Sequence, residues 1–143
     1  MALPGSEPVL DAMISLARLS RSRRVIVAGS NAFGLYLGLL DRGFLRAATT
    51  AISRAPCGQH DAALISGRYS TNALEGLLNR VVPFLTARAT IAIWIDSGAP
   101  YGGSKLQAAL ERLGFRIEAG TACENGFIVS AQRRDFSPLA NAA

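Results

Sequence analysis

The stretch from Arg24 to Phe44 constrains the fold more than any other part of the sequence. It opens with a short apolar run, Val25-Ile26-Val27-Ala28, that stops at Gly29, as expected for a buried parallel strand ending in a turn. Hydrophobic residues then recur every three or four positions up to Gly43, which stands where a helix C-cap belongs. A strand, a glycine-containing turn and a helix form the first half of a βαβ unit, so the sequence predicts an α/β fold.

Length and composition indicate one domain. A chain of 143 residues suffices for a single core, and we predict an α/β domain over residues 1–134, with an N-terminal helix at about 7–20 and a flexible tail at 135–143. Half of the residues are hydrophobic and 17% are charged, which argues against disorder in the body of the chain. No apolar run approaches the ~20 residues that cross a bilayer, and the first residues do not resemble a secretory signal. We therefore expect a cytoplasmic protein without membrane contact.

The positive charge comes almost entirely from arginine. Lys105 is the only lysine in a chain of net charge +5, and the densest group of arginines runs from Arg18 to Arg24. Phosphate or nucleic-acid binding would need such a cluster on one face, with aromatic or polar base readers close by. No reader is evident in the sequence, which therefore favours a solvated basic surface without a nucleic-acid partner.

Residues with catalytic or metal-binding chemistry are few and scattered. Cys57 and Cys123 lie far apart, and with His60 as the only histidine a Cys/His zinc site would lack a fourth ligand. His60 and Asp61 adjoin at the start of a predicted strand, so they point to opposite faces at the end away from where α/β sheets bind ligands. We expect a structural role for both, no metal and no identifiable catalytic residue.

The remaining pattern alternates helices and strands. A helix from Glu7 to Ser20 is expected to pack on the core, or else to act as a lid or dimer contact. A long helix from about Asn72 to Arg88 should kink or restart near Pro83. The other predicted elements are strands at 45–52, 61–67 and 90–96, a helix at 104–113, and an antiparallel hairpin of 115–119 with 127–131.

This order resembles the class I S-adenosylmethionine-dependent methyltransferases. Val25-Ile26-Val27-Ala28-Gly29 and its helix match that family's first strand and cofactor loop, and His60-Asp61-Ala62-Ala63-Leu64-Ile65 resembles its fourth strand. The segment 110–133 is similar to its closing helix, Gly-Phe turn and hairpin. The resemblance implies a three-layer Rossmann-like sandwich with a mostly parallel six-stranded sheet, and S-adenosylmethionine as a possible cofactor.

Three departures separate the chain from that pattern. The family's Gly-x-Gly-x-Gly loop is here Gly29-Ser30-Asn31-Ala32-Phe33-Gly34. The region where the family has an acidic residue that holds the ribose offers Thr49, Thr50 and Ile52. The ten residues from Ala51 to His60 leave no room for the family's next helix and third strand. We therefore expect the family's strands in the order second, first, fourth, fifth, seventh, sixth. The exposed second strand would be covered by the first helix or by a homodimer partner.

Polar and glycine residues at the ends of the predicted strands form the candidate ligand site. These cofactor-binding positions are Gly29, Ser30, Asn31, Gly34, Ser66, Arg68 and Asp96. The alternative is that they are ordinary turn and capping residues. We favour a methyltransferase-like domain that lacks methyl transfer and binds an unidentified small ligand or serves as an oligomeric interaction module. The other interpretations are an active methyltransferase with an atypical cofactor pocket, and a dinucleotide-binding fold whose phosphate loop spans Gly29 to Gly34.

Overall fold

Strands and helices alternate along the chain, as the sequence predicts. The computed structural model describes residues 6–29, 32–50, 58–67, 71–96, 103–123 and 126–133. The helices in these ranges are α1 (Ser6–Ala17), α2 (Ala32–Asp41), α3 (Thr71–Val81) and α4 (Gly103–Arg112). The strands are β1 (Val25–Gly29), β2 (Ala47–Thr49), β3 (His60–Gly67), β4 (Leu85–Asp96), β5 (Phe115–Cys123) and β6 (Gly126–Arg133).

The strands form one sheet in the order β2-β1-β3-β4-β6-β5. The first four run parallel, β6 runs antiparallel to β4, and β5 pairs antiparallel with β6. Translated into the family's strand names, this is the predicted order, in which β2 lies at the edge beside β1. The predicted closing hairpin is confirmed as well.

Two hydrophobic cores lie on opposite faces of the sheet, which confirms a three-layer α/β sandwich. On one face, Leu10 and Met13 of α1 and Leu39 of α2 pack with side chains of β1, β3 and β4. On the other, Leu78 of α3 and Leu110 of α4 pack over the same strands. Nearly complete burial of these side chains is the main stabilising contribution, at roughly 1.5–3 kcal/mol for each large apolar side chain. Within the described ranges, no helix is long and apolar enough to cross a membrane.

The parallel strands give the sheet two different ends. The C-terminal edge is where β1 to β4 finish, at Gly29, Thr49, Gly67 and Asp96. The N-terminal edge is where they begin, and the antiparallel β6 finishes there, since Gln132 pairs with Thr90. Because each helix connects the end of one strand to the start of the next, α2, α3 and α4 all run from the C-terminal edge to the N-terminal edge.

The third helix is shorter than predicted. It ends at Val81, a single turn of 3₁₀-helix covers Val82–Phe84, and β4 begins at Leu85, so the predicted continuation to Arg88 is wrong. Pro83 explains the difference, because its ring removes a backbone donor and blocks a further α-helical turn. Residues 85–88, assigned to the helix from sequence, instead belong to β4, and Leu85 and Ala89 are buried there.

His60 and Asp61 make structural contacts at the N-terminal edge. The His60 ring is buried, its Nδ1 lies 3.3 Å from the Phe84 carbonyl oxygen, and it meets the Phe84 ring edge-on. Burial lowers the pKa of His60, and the nearby Arg24 guanidinium lowers it further, against opposing effects of the Phe84 carbonyl and Asp61. Asp61 accepts a hydrogen bond of 3.2 Å from the Arg24 backbone N–H. These contacts agree with the structural role expected for both residues.

Candidate functional site

The C-terminal edge brings two of the predicted site residues into direct contact. Gly29 and Ser66 are paired in the parallel β1–β3 ladder. Gly29 has φ of +111°, and a Cβ atom built there would lie 2.0 Å from the Ser66 carbonyl oxygen. Only glycine fits at such a position, because a side chain would meet both an unfavourable backbone conformation and the neighbouring strand. The backbone at the end of β1 therefore packs directly against the backbone of β3.

Two further predicted residues lie at the same edge. Gly34 is in the first turn of α2, which begins directly beyond β1, and it is half-buried. Asp96 is the last residue of β4, one position beyond the Gly67–Ile95 pair of the β3–β4 ladder. Ser30, Asn31 and Arg68 lie outside the described residues. The structure therefore places four of the seven predicted positions along one edge of three adjacent strands.

Trp94 is a residue of this edge that the sequence interpretation missed. It is paired with Ser66 on one side and with Ile128 on the other, so the row Gly29, Ser66, Trp94 crosses three strands on the face covered by α1 and α2. Its indole N–H is buried and has no hydrogen-bond acceptor among the described residues. An unmet buried donor costs about 1–3 kcal/mol. The two-residue alternation of β4 predicts the position of Trp94, because it places Trp94 on the same face of the sheet as Ala92.

The neighbouring strand β2 ends without a carboxylate. Thr49 is the last residue of β2 and is paired with Val27, and the N–H of Thr50 donates a further hydrogen bond of 3.3 Å to the Val27 carbonyl. A threonine hydroxyl offers one neutral hydrogen-bonding group, whereas a carboxylate accepts two charge-assisted bonds from adjacent hydroxyls. The described residues therefore supply the glycine that ends β1 and a neutral hydroxyl at the end of β2.

The surface beside β2 is apolar. From Ala32 to Leu40, α2 carries no charged residue, although its buried positions are limited to Leu35, Gly38 and Leu39. Phe33 is 66% exposed and its ring contacts that of Tyr36, with the centroids 6.2 Å apart. Edge strands and apolar helix faces of this kind are usually covered in folded proteins.

The first helix does not provide that cover. Its main packing partners are β4, β6, β5 and α2, so it lies over the opposite half of the sheet from β2. The hypothesis that α1 shields the edge strand is therefore wrong. Its position follows from its apolar side chains, since Val9 and Leu10 join the core that includes Ala92 of β4 and Ile128 of β6.

Comparison with known proteins identifies the fold. No protein-family model matches the chain, and no curated protein matches it. Among solved structures, a SAM-dependent methyltransferase from Archaeoglobus fulgidus aligns with a TM-score of 0.64 and 13% identity, covering 90% of this chain and 93% of the other. A SAM-dependent methyltransferase from Aquifex aeolicus gives 0.61 and 13%, with 91% and 90% covered. The magnesium protoporphyrin IX methyltransferase of Synechocystis PCC 6803 with bound SAM gives 0.60 and 12%, with 91% and 80% covered.

At these identities the similarity concerns the architecture alone. The protein has a class I S-adenosylmethionine-dependent methyltransferase-like fold, as the order of its strands and helices predicts from sequence.

Proposed function

We propose that this protein binds a small ligand at the C-terminal edge of β1 and β3 and does not transfer methyl groups. The observation that carries the proposal is Thr49, which ends β2 at the position where the methyltransferase resemblance implies a ribose-binding carboxylate. Gly29 and Ser66 supply a rigid backbone platform beside it. A site with that platform but without the carboxylate suits a ligand other than a tightly held adenosyl group.

The expected loss of affinity for an adenosyl ligand is large. A charge-assisted hydrogen bond contributes about 1.5–3 kcal/mol, and a carboxylate would make two of them to ribose. Their loss weakens adenosine binding by roughly two orders of magnitude or more. S-adenosylmethionine would then occupy the site poorly.

Calorimetric titration with S-adenosylmethionine and S-adenosylhomocysteine tests this proposal. We expect no binding in the micromolar range and no transfer of labelled methyl groups. Trp94, the only tryptophan, provides a second readout, because a ligand at this edge should change its fluorescence. Micromolar binding together with methyl transfer would instead establish the alternative, an active methyltransferase with an atypical pocket. The bound SAM in the Synechocystis structure favours that alternative.

A thermal-shift panel identifies the ligand class. Adenosine, S-adenosylhomocysteine, NAD and a set of small carboxylates would be compared at millimolar concentration. A shift with NAD alone would support the dinucleotide-binding interpretation. No shift with any compound would count against ligand binding at this edge and leave the interaction module as the function.

Oligomerisation is the second candidate function, and the surface of α2 beside β2 favours it. Phe33 is largely exposed, and β2 is an edge strand with one unpaired side among the described strands. A second copy of the chain could cover both, because two identical edge strands can pair antiparallel about a two-fold axis. The homodimer expected from sequence is therefore retained as a proposal.

A further inference from the structure

Arginine is distributed unevenly over the two edges of the sheet. Every arginine in the described residues lies at the N-terminal edge, opposite the candidate ligand site. They end helices, precede strands, or occupy the beginning of β4 and β5 and the end of β6. These are Arg18, Arg21, Arg23, Arg24, Arg42, Arg46, Arg80, Arg88, Arg112, Arg116 and Arg133.

Helix termini explain part of this clustering. The carbonyl end of a helix carries partial negative charge and favours cations, which accounts for Arg18, Arg42, Arg80 and Arg112 near the ends of the four helices. Two others have structural contacts, since Arg21 donates a hydrogen bond to the Arg42 carbonyl and Arg133 donates to the Thr86 carbonyl. The rest lie at strand ends or in the turns before strands. Their presence at one edge therefore calls for another explanation.

Ion pairs neutralise a minority of these side chains. Arg42 pairs with Asp11 at 2.8 Å, and Arg112 pairs with Glu75 on the far side of the sheet. Arg23 lies 3.9 Å from Asp61, a long contact for an exposed pair, and such pairs stabilise by about 0–1 kcal/mol. Arg133 is held differently, because it donates to the Leu85 and Thr86 carbonyl oxygens and lies 5.6 Å from the centre of the Phe115 ring. With only three of the described arginines in these ion pairs, the edge keeps an excess of positive charge.

A recess in this edge gathers several of the arginines. Two adjoining cavities, of about 400 and 280 Å³, share Glu118 and Gln132 in their walls and lie where α1 ends over β4, β6 and β5. We call the combined recess the arginine cleft. Its charged lining consists of Arg18, Arg23, Arg88, Arg116 and Arg133 against Asp61 and Glu118. The cleft is thus a concave surface with an excess of positive charge.

Neutral hydrogen-bonding groups stand between the arginines. Thr90 and Gln132 are paired across β4 and β6, and Ser130 lies one row further along the same face. Ser130 lines the cleft at its base, where it is 3% exposed. These groups are the polar readers that the sequence alone did not reveal beside the basic cluster.

We propose that the arginine cleft binds single-stranded nucleic acid through its phosphodiester backbone. Guanidinium groups bind phosphate bidentately, and arginine rather than lysine supplies nearly all of the positive charge here. The more accessible polar groups of Thr90 and Gln132 suit the base or sugar edges of a strand lying in the recess. A lipid surface is flat and would meet only the rim of such a cleft. This proposal is independent of the ligand site, which lies at the opposite edge.

Fluorescence anisotropy with labelled RNA and DNA strands of about 16 nucleotides and identical mixed sequence tests the proposal. The cleft variant is Arg88→Glu with Arg116→Glu. The matched control is Arg46→Glu with Arg80→Glu, which changes the charge equally at exposed positions of the same edge outside the cleft. We expect the cleft variant to weaken binding at least about tenfold and the control to stay within about twofold of the native chain.

The salt dependence gives a second readout. If Arg18, Arg23, Arg88 and Arg116 contact phosphates, the logarithm of the affinity should fall with the logarithm of salt concentration with a slope of about −2.8, and about −1.4 in the cleft variant. Circular dichroism checks that each variant is folded, and Arg88→Gln with Arg116→Gln repeats the test without charge reversal. Equal losses in the cleft and control variants, no binding by the native chain at low salt, or binding to anionic vesicles but not to either strand would each overturn the proposal.

Discussion

A Cβ atom on Gly29 would lie 2.0 Å from the carbonyl oxygen of Ser66, so the two strands leave no space for a side chain at the end of β1. The positive φ of Gly29 adds a second penalty. We predict that Gly29→Ala lowers the free energy of unfolding by more than about 3 kcal/mol, because the backbone of β1 or β3 must move. Urea unfolding followed by circular dichroism measures the change.

Gly114→Ala is the control for that variant. Gly114 also has a positive φ, of 88°, but a Cβ atom there meets nothing within 4 Å. Its substitution should cost only about 1 kcal/mol, the penalty of the backbone conformation alone. Equal losses in the two variants would show that contact with Ser66 does not matter.

Thr49→Asp should restore part of the adenosyl site. A carboxylate at the end of β2 would accept charge-assisted hydrogen bonds from ribose, so we expect S-adenosylhomocysteine to bind about tenfold to a hundredfold more tightly than to the native chain. Calorimetry measures the dissociation constants. Thr50→Asp, one residue beyond the strand, adds the same charge and should have a smaller effect. If Thr49→Asp does not raise the affinity, the missing carboxylate at the end of β2 does not explain weak adenosyl binding.

Acidification should destabilise the protein through His60. Its pKa is lowered in the folded state, chiefly by burial, so below pH 6.5 the unfolded chain binds the proton more readily than the folded one. The free energy of unfolding should therefore fall as the pH drops through 6.5 towards the folded pKa. Urea titrations at pH 7.5 and about 5.5 measure the difference.

His60→Asn isolates that contribution. The asparagine amide can donate to the Phe84 carbonyl as Nδ1–H does, but it does not titrate. Its stability should change less between the two pH values than that of the native chain. If the stability of His60→Asn depends on pH as strongly as that of the native chain, groups other than His60 cause the effect.

Phe33→Glu should separate the proposed homodimer into monomers. A charge on the exposed face of α2 opposes burial against a second copy, while the monomer core, which Phe33 does not enter, keeps its stability. Sedimentation velocity at micromolar concentrations measures the association. Ala108→Glu is the control, because Ala108 is exposed on α4, which packs beside β5 at the opposite edge of the sheet from β2. A monomeric native protein would contradict the dimer.

Sequence reasoning recovered the strand order because that order depends on local signals. Apolar β-branched runs mark β1, β3 and β4, and the short connection after Thr49 leaves β2 at the edge. The same reasoning failed at residues 85–88, where Leu85 also fits the helical spacing of α3. The odd positions from Leu85 to Ile95 are all apolar, which is the two-residue period of a strand. The helical spacing of the preceding apolar residues was given more weight than this period.

The sites were less predictable than the fold. The alignment of Ser66 beside Gly29 follows from two parallel strands in register, and both were named from sequence. The arginine cleft joins Arg18 and Arg23 before β1 to Arg88 on β4 and Arg116 on β5. Those positions are distant along the chain, and only the folded arrangement brings them to one end.

The described arginines place an excess of positive charge at the end of the sheet where the parallel strands begin. In the field of a long polyanion such a particle turns before it makes contact, so that its basic end leads. The glycine-ended strands then point outward, away from the polymer. A small molecule could enter at that outer end while the polymer is held, and the two occupants would not compete for space.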